Sequence, residues 1–278
     1  MLNILVSYAY MDTKTIEYIQ AHPDIKLMLD SGAYTAFKIG KEILLDDYCK
    51  FIESLPFTPY RYFNLDVIGD AEASLKNYEI MISRGLKPVP VYQRDDEPAI
   101  IETYYETSDV LAIGGLNGLR NKLGYVKALM EFVGDRKVHW LGFNNHAFVA
   151  HYRPYTCDTS TWAAAVRFAS VKLYDRNGRW IYVSKKDFQK QPSDKIMELI
   201  TSYGIDPHLL SKTAHWKNSG KGEYALELLT CRSWTKYQID VRNKLGTNFF
   251  LACASDWQVR LIHDSYHFWK TKGMMINV

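Results

Sequence analysis

Six times in its first 152 residues the chain passes from a short apolar run to an amphipathic stretch, and this alternation constrains its fold more than any other feature. Runs of strand length occupy 4–8, 25–29, 60–65, 88–92, 110–113, 138–142 and 155–157. Helix-like patterning fills 13–22, 41–54, 71–84, 97–107, 120–134 and 144–152 between them. Asp12-Thr13 and the Asp46-Asp47 pair suit helix starts, and Gly85 and Gly134 suit helix stops. Repeated β-then-α units predict a parallel sheet. Polar residues close many of the runs instead of gathering at one crevice. That distribution favours an α/β fold of the TIM (β/α)8-type barrel over an open doubly wound sheet.

The stretch 247–254 (TNFFLACA) is the expected eighth strand. The expected barrel is therefore 1–170 with 247–278, and 171–246 is an insertion before the last strand. Within it, Asp175-Arg176-Asn177-Gly178 between apolar runs predicts a hairpin. Residues 193–203 and 221–244 read as helices.

Charge separates the two parts. Residues 1–162 hold 16 Lys+Arg against 21 Asp+Glu, and the remaining residues hold 18 against 10. The insertion side suits a polyanion, with Lys185, Lys186, Lys212, Lys217 and Lys221 as phosphate contacts. With 278 residues and 47% apolar content the chain can bury a core without staples. Cys49, Cys157, Cys231 and Cys253 form no CxxC pair, which argues against a zinc cage or disulfide framework and for a reducing cytoplasm. No run is long and apolar enough for a membrane span, and Met1–Val6 lacks a basic region and a cleavage signal.

Five strand ends carry the chemistry. Asp30-Ser31-Gly32-Ala33-Tyr34 places an acid, a close-approach glycine and a ring for base stacking at one of them. Asp66 offers a carboxylate to the donor edge of a purine, and the Gln93 amide can both donate and accept. Gly114-Gly115-Leu116 exposes backbone N–H groups. Asp158, in Tyr155-Thr156-Cys157-Asp158-Thr159-Ser160-Thr161-Trp162, is the candidate nucleophile. Two carboxylates, one attacking and one handling a proton, are the minimal kit for displacement at an anomeric carbon. Helix capping is the competing explanation for Asp30 and Asp158. His139 reads as a satisfied core histidine, and His146 and His151 as rim residues. His263 and His267 have a two-ligand spacing with no motif to complete it, so no metal site is expected. Trp162, Trp180, Trp216 and Trp234 could be core residues or base contacts.

Taken in order, Asp30-Ser31-Gly32, Asp66, Gln93, Gly114-Gly115-Leu116 and Asp158 resemble the tRNA-guanine transglycosylase superfamily, over about residues 25–180. That family is a TIM barrel that exchanges guanine for a 7-deazaguanine. Its tRNA-acting members carry a zinc-binding C-x-C-x2-C…His insertion after the nucleophile, and their nucleophile itself is followed by a Pro-Thr-Arg type sequence. This chain lacks those cysteines and has Thr159-Ser160-Thr161-Trp162 instead. It looks more like the DNA-acting, phage-type branch. The resemblance implies DNA, duplex or locally opened, as partner, a 7-deazaguanine base as co-substrate, no tRNA preference, and no metal or redox cofactor. It implies a flipped-out guanine stacked on Tyr34 and read by Ser31, Asp66, Gln93 and the Gly114-Gly115-Leu116 loop. Asp158 would attack C1′, and Asp30 would act as general acid–base. Alternatives are an RNA transglycosylase, a non-catalytic nucleic-acid-binding barrel, and a nucleoside or glycoside hydrolase using Asp30 and Asp158.

Overall fold

The computed structural model describes residues 1–94, 96–116, 119–165, 167–190, 192–217 and 222–274. By its internal contacts the chain divides into two units. One comprises Asn3–Thr159 with Gly246–Ala254. The other comprises Met1–Leu2, Ser160–Leu245 and Ser255–Val278. The division falls eleven residues before the expected start of the insertion and assigns the C-terminal segment to the insertion's unit.

The first unit is a parallel sheet flanked by helices. Its strands are β1 (Leu2–Ser7), β2 (Ile25–Asp30), β3 (Arg61–Tyr62), β4 (Val91–Tyr92), β5 (Val110–Ile113), β6 (Lys137–Trp140), β7 (Thr156–Thr159) and, after the second unit's residues, Asn248–Cys253. The order is β3-β2-β1-(248–253)-β7-β6-β5-β4. The sheet is curled, and its terminal strands approach one another. Phe63 and Val89 form a parallel bridge, Val89 N–H donates to Tyr62 O at 2.7 Å, and Asn64 N–H donates to Val89 O at 3.1 Å. The stretch 248–253 pairs with both β1 and β7, as an eighth strand must.

The helices here are α1 (Thr13–Ala21), α2 (Ala33–Lys38), α3 (Leu45–Ser54), α4 (Ala71–Ser83), α5 (Ile100–Thr107), α6 (Lys122–Val133) and α7 (His146–Tyr152). Asp12 caps α1 by accepting from Thr15 N–H at 2.8 Å, and Gly134 ends α6 at φ 65°. The sequence pattern does not announce α2, because six residues are too few to show a helical period. The segment 41–44, expected inside a helix, precedes α3 instead.

Leu5, Met28, Phe63, Val89, Val91, Val110, Ala112 and Phe250, drawn from six of the strand regions, pack into one buried cluster. At the strands' N-terminal ends, Arg61 makes a bidentate pair with Asp109, at 2.8 and 3.0 Å. Lys137 joins the same carboxylate at 3.1 Å, and the hydroxyls of Tyr60 and Tyr155 bond to each other.

The second unit is built on β8 (Ser170–Tyr174), β9 (Trp180–Ser184), α8 (Lys185–Gln189), α9 (Asp194–Ser202), α10 (Ala225–Leu245) and α11 (Asp256–Thr271); the eighth sheet strand above is β10. The expected hairpin is present, with Tyr174 opposite Trp180. Its loop is organised less by Asn177-Gly178 than by Asp175, whose Oδ1 accepts from Asn177 and Arg179 N–H at 2.9 and 2.8 Å. The hairpin packs on α10. Ser233 Oγ takes the Tyr174 N–H and donates to Lys172 O, both at 2.9 Å. The Trp180 and Trp234 rings lie 4.6 Å apart. Trp162, Trp216 and Trp234 are at most 6% exposed, so the structure makes them core residues and not base contacts.

Candidate active site

The C-terminal ends of β2, β3, β4, β5 and β7 carry the five polar groups singled out in the sequence, all in the first unit. Asp30 ends β2, and the chain then turns through Gly32 at φ 83° into α2. A side chain at Gly32 would meet Ser7 Oγ at 2.8 Å, so the turn requires glycine on both conformational and steric grounds. Gly32 N–H donates to Asp30 Oδ2 at 3.1 Å. Ser31 Oγ accepts from Ala33 N–H at 3.3 Å and donates to Asp66 Oδ1 at 3.2 Å. These are bonds within the turn and not helix caps, since Gly32 is the N-cap of α2 and no side chain caps it; capping does not account for Asp30, and Ser31 stays bonded into the site.

Asp66 is placed by a two-residue strand, too short to hold register by itself. Asn64 supplies the missing pairing. Its Oδ1 accepts from Val91 N–H at 2.8 Å and its Nδ2 donates to Ser74 O at 3.3 Å. Ser74 Oγ accepts from Val67 N–H at 2.8 Å, and Asn77 Nδ2 donates to Leu65 O at 2.9 Å. So braced, Asp66 accepts from the Gln93 amide at Oδ2. Gln93 in turn has its own N–H held by Asp96 Oδ2 at 2.8 Å. Asp66, Gln93 and Asp96 are each under 10% exposed.

The glycines of β5's end fit against this amide. A Cβ at Gly114 would meet Gln93 Oε1 at 2.9 Å, and one at Gly115 would meet Arg94 N at 2.8 Å. Gly115 also sits at φ 67° and is exposed, while Leu116 is a core residue. Asn117 and Gly118, the rest of that loop, lie outside the described residues.

Asp158, on β7, is only 5% exposed. It caps no helix. Its Oδ1 accepts from Gly142 N–H at 2.7 Å and lies 3.2 Å from His139 Nε2. His139, on β6 and fully buried, has its Nδ1 2.8 Å from Thr156 Oγ1. It is a satisfied core histidine, as its place in an apolar strand suggests, but one of its partners is the candidate nucleophile. Strand pairing could have found this: His139 stands opposite Thr156 on β7, and Asp158 points to the same face two residues on.

Electrostatics tie the cluster together. Burial, reinforced by the negative charges of Asp66 and Asp158, pushes the Asp30 carboxyl up to about 7, against the Gly32 N–H and the Ser7 hydroxyl, which favour its ionised form. Burial also raises Asp66, opposed by hydrogen bonds from Gln93 and Ser31. Asp30 thus has a protonation change near neutrality, the property of a group that both gives and takes a proton.

Tyr34, on α2, is 43% exposed and its ring is covered on one face by Lys38 Nζ at 4.9 Å from the centroid. A cavity of about 390 Å³ opens beside Asp66, walled by Ala33, Ala36, Ile43, Leu44, Leu65 and Val67. Lys185 and Lys186 open α8 in the second unit; Lys186, Lys212 and Lys217 are exposed, and Lys221 lies outside the described residues. His146 and His151 lie on α7, and neither contacts the carboxylate cluster in the bonds above. His263 and His267 bond to each other through their Nε2 atoms at 3.0 Å on α11. No helix among the described residues is long and apolar enough to cross a membrane. No protein-family model, curated protein or solved structure matches the chain.

Proposed function

We propose that the protein is a DNA-guanine transglycosylase, exchanging guanine in DNA for a 7-deazaguanine base such as 7-cyano-7-deazaguanine. The observation that carries this reading is the convergence of Asp30, Asp66, Gln93 and Asp158, with Asp30 at a carboxyl pKa of about 7 under the influence of the other two acids. One acid titrates near neutrality, while a second presents a carboxylate tied down through a single oxygen. That is a division of labour between proton carrier and nucleophile.

The reaction balances as two displacements. Asp158 Oδ2 forms an ester bond to C1′ of the flipped-out deoxyguanosine as the bond from C1′ to the base breaks. The electron pair leaves on guanine, which takes the Asp30 proton. The incoming 7-deazaguanine then loses its ring N–H proton to the Asp30 carboxylate, and that nitrogen attacks C1′. The ester opens and its electrons return to Asp158. Configuration at C1′ is retained. Asp66 and Gln93 read the donor-rich edge of the base, with Tyr34 as the stacking surface and the exposed Gly115 backbone beside it.

In this reading the curled sheet is a closed (β/α)8 barrel, with β3 and β4 meeting through the Phe63–Val89 bridge. The second unit holds the phosphate backbone. The formal charges of the two residue sets, −5 and +8, support that assignment. Four buried cysteines held as thiols fit a reducing cytoplasm, of a bacterium or of a phage-infected cell.

The test is to incubate the protein with a guanine-containing duplex, without added base, and resolve the mixture under denaturing conditions. A protein–DNA adduct is expected from the wild type and none from Asp158→Asn. Free guanine accumulating with an abasic product would instead indicate a hydrolase.

A further inference from the structure

His139 is an anomaly of its surroundings. It is fully buried and 4.9 Å from the Phe63 ring, a member of the apolar cluster inside the curled sheet. Burying an imidazole there sacrifices hydration that only its two side-chain hydrogen bonds offset. A leucine or phenylalanine would fill such a layer at lower cost. Where a local packing rule is broken without structural gain, a functional reason is the first to test.

The geometry supplies one. When Asp158 is ionised it can only accept, so His139 Nε2 carries the proton and donates to Oδ1. In the neutral ring Nδ1 then accepts from the Thr156 hydroxyl, 2.8 Å away, a contact this tautomer satisfies. Gly142 N–H donates to the same Oδ1. Both donors therefore converge on one oxygen of the carboxylate. The Thr156–His139–Asp158 chain runs from the buried sheet interior to the strand end without reaching solvent at either of its first two members, each 0% exposed.

We propose that His139 is a positioning residue for Asp158: it fixes the carboxylate through Oδ1 so that Oδ2 faces the reacting carbon, and Thr156 holds the imidazole in the tautomer that can do so. This rests on the exchange reading. It goes beyond it by assigning the nucleophile's orientation to two side chains that touch neither base nor sugar. The imidazole carries no proton to or from the substrate.

The experiment compares four variants in single-turnover adduct formation on guanine-containing duplex, with DNA affinity measured in parallel. His139→Met fills the space but cannot donate; His139→Gln restores an N–H near the position of Nε2. Thr156→Val removes the hydroxyl at constant shape; Thr156→Ser keeps it. His139→Met is expected to slow adduct formation by up to about 100-fold, the upper scale for losing a partner that orients a reacting group. DNA affinity should stay within about twofold, since the chain touches no phosphate. His139→Gln should recover most of the rate. Thr156→Val should lose roughly 10-fold, the scale of a partner acting through another residue, and Thr156→Ser little.

Wild-type rates in His139→Met, or equal losses in His139→Met and His139→Gln, overturn the assignment while leaving the exchange reading intact. A wild-type protein that forms no adduct overturns both. If His139→Met fails to fold, the Thr156→Val and Thr156→Ser pair decides, because equal rates in those two contradict the tautomer argument.

Discussion

At the scale of residues, the account turns on the unequal environments of two aspartates. Asp158→Asn should abolish adduct formation while leaving DNA binding, because the carboxamide keeps the shape and loses the nucleophile; a denaturing gel reads this directly. Asp30 makes a prediction about pH. Folded, it keeps its proton up to about pH 7, while its ordinary value is 3.8. Between those values the unfolded chain binds fewer protons than the folded one, so this group's contribution to stability falls as pH rises. Asp30→Asn should therefore melt above the wild type at pH 8, with the gap closing toward pH 4, while losing base exchange. A variant melting below the wild type at pH 8 would show that Asp30 is held by partners that favour its charge. In the wild type, adduct formation should decline above about pH 7, where the acid form of Asp30 is lost. Both acids were legible in the sequence because each follows an apolar run. His139 was legible only as a core histidine; its contact with Asp158 becomes visible once β6 and β7 are paired in register, and a strand's own residues do not fix that register.

At the scale of elements, the site is held by short strands and by side chains that stand in for backbone. Asn64 is the clearest case. Its side chain bonds Val91 N–H on β4 and Ser74 O on α4, and nothing in the run Tyr60–Leu65 distinguishes it from an ordinary polar interruption. Asn64→Leu leaves the buried Val91 N–H without its acceptor and should destabilise the protein by ~1–3 kcal/mol; chemical denaturation measures it. Gly115→Ala forces a side chain into φ 67° and against Arg94 N. It should cost about 1–2 kcal/mol and disturb the Gln93 amide. Loss of exchange beyond the loss of stability would place that loop in base recognition. Helices such as α1, α3 and α5 follow the periodic pattern because each buries one stripe of residues, and the strands at 25–30 and 110–113 follow it as apolar runs buried almost throughout. The six-residue α2 and the Asp175-centred hairpin loop escape it, because local side-chain bonds and one left-handed glycine decide them.

At the scale of the molecule, sign of charge separates the two units. The unit that carries the acids has a formal charge of −5, and the other has +8. If the basic unit holds the phosphate backbone, neutralising Lys185, Lys186, Lys212 and Lys217 should weaken DNA binding almost independently of sequence. Each true phosphate contact removed should lower the slope of log affinity against log salt by roughly 1. An unchanged slope would make these lysines an ordinary solvated surface. The charge split could be read from the sequence; the division between the units could not, because the C-terminal helix looks from its pattern like the last helix of a barrel. The central claim is base exchange on DNA, and incorporation tests it most directly. Purified protein is mixed with 7-cyano-7-deazaguanine and either guanine-containing duplex DNA or tRNA, and the digested nucleosides are analysed by mass spectrometry. The account predicts the 7-deazaguanine deoxynucleoside from DNA, none from tRNA, and none with Asp158→Asn. Product from tRNA alone, or DNA that is bound and never modified, would contradict it.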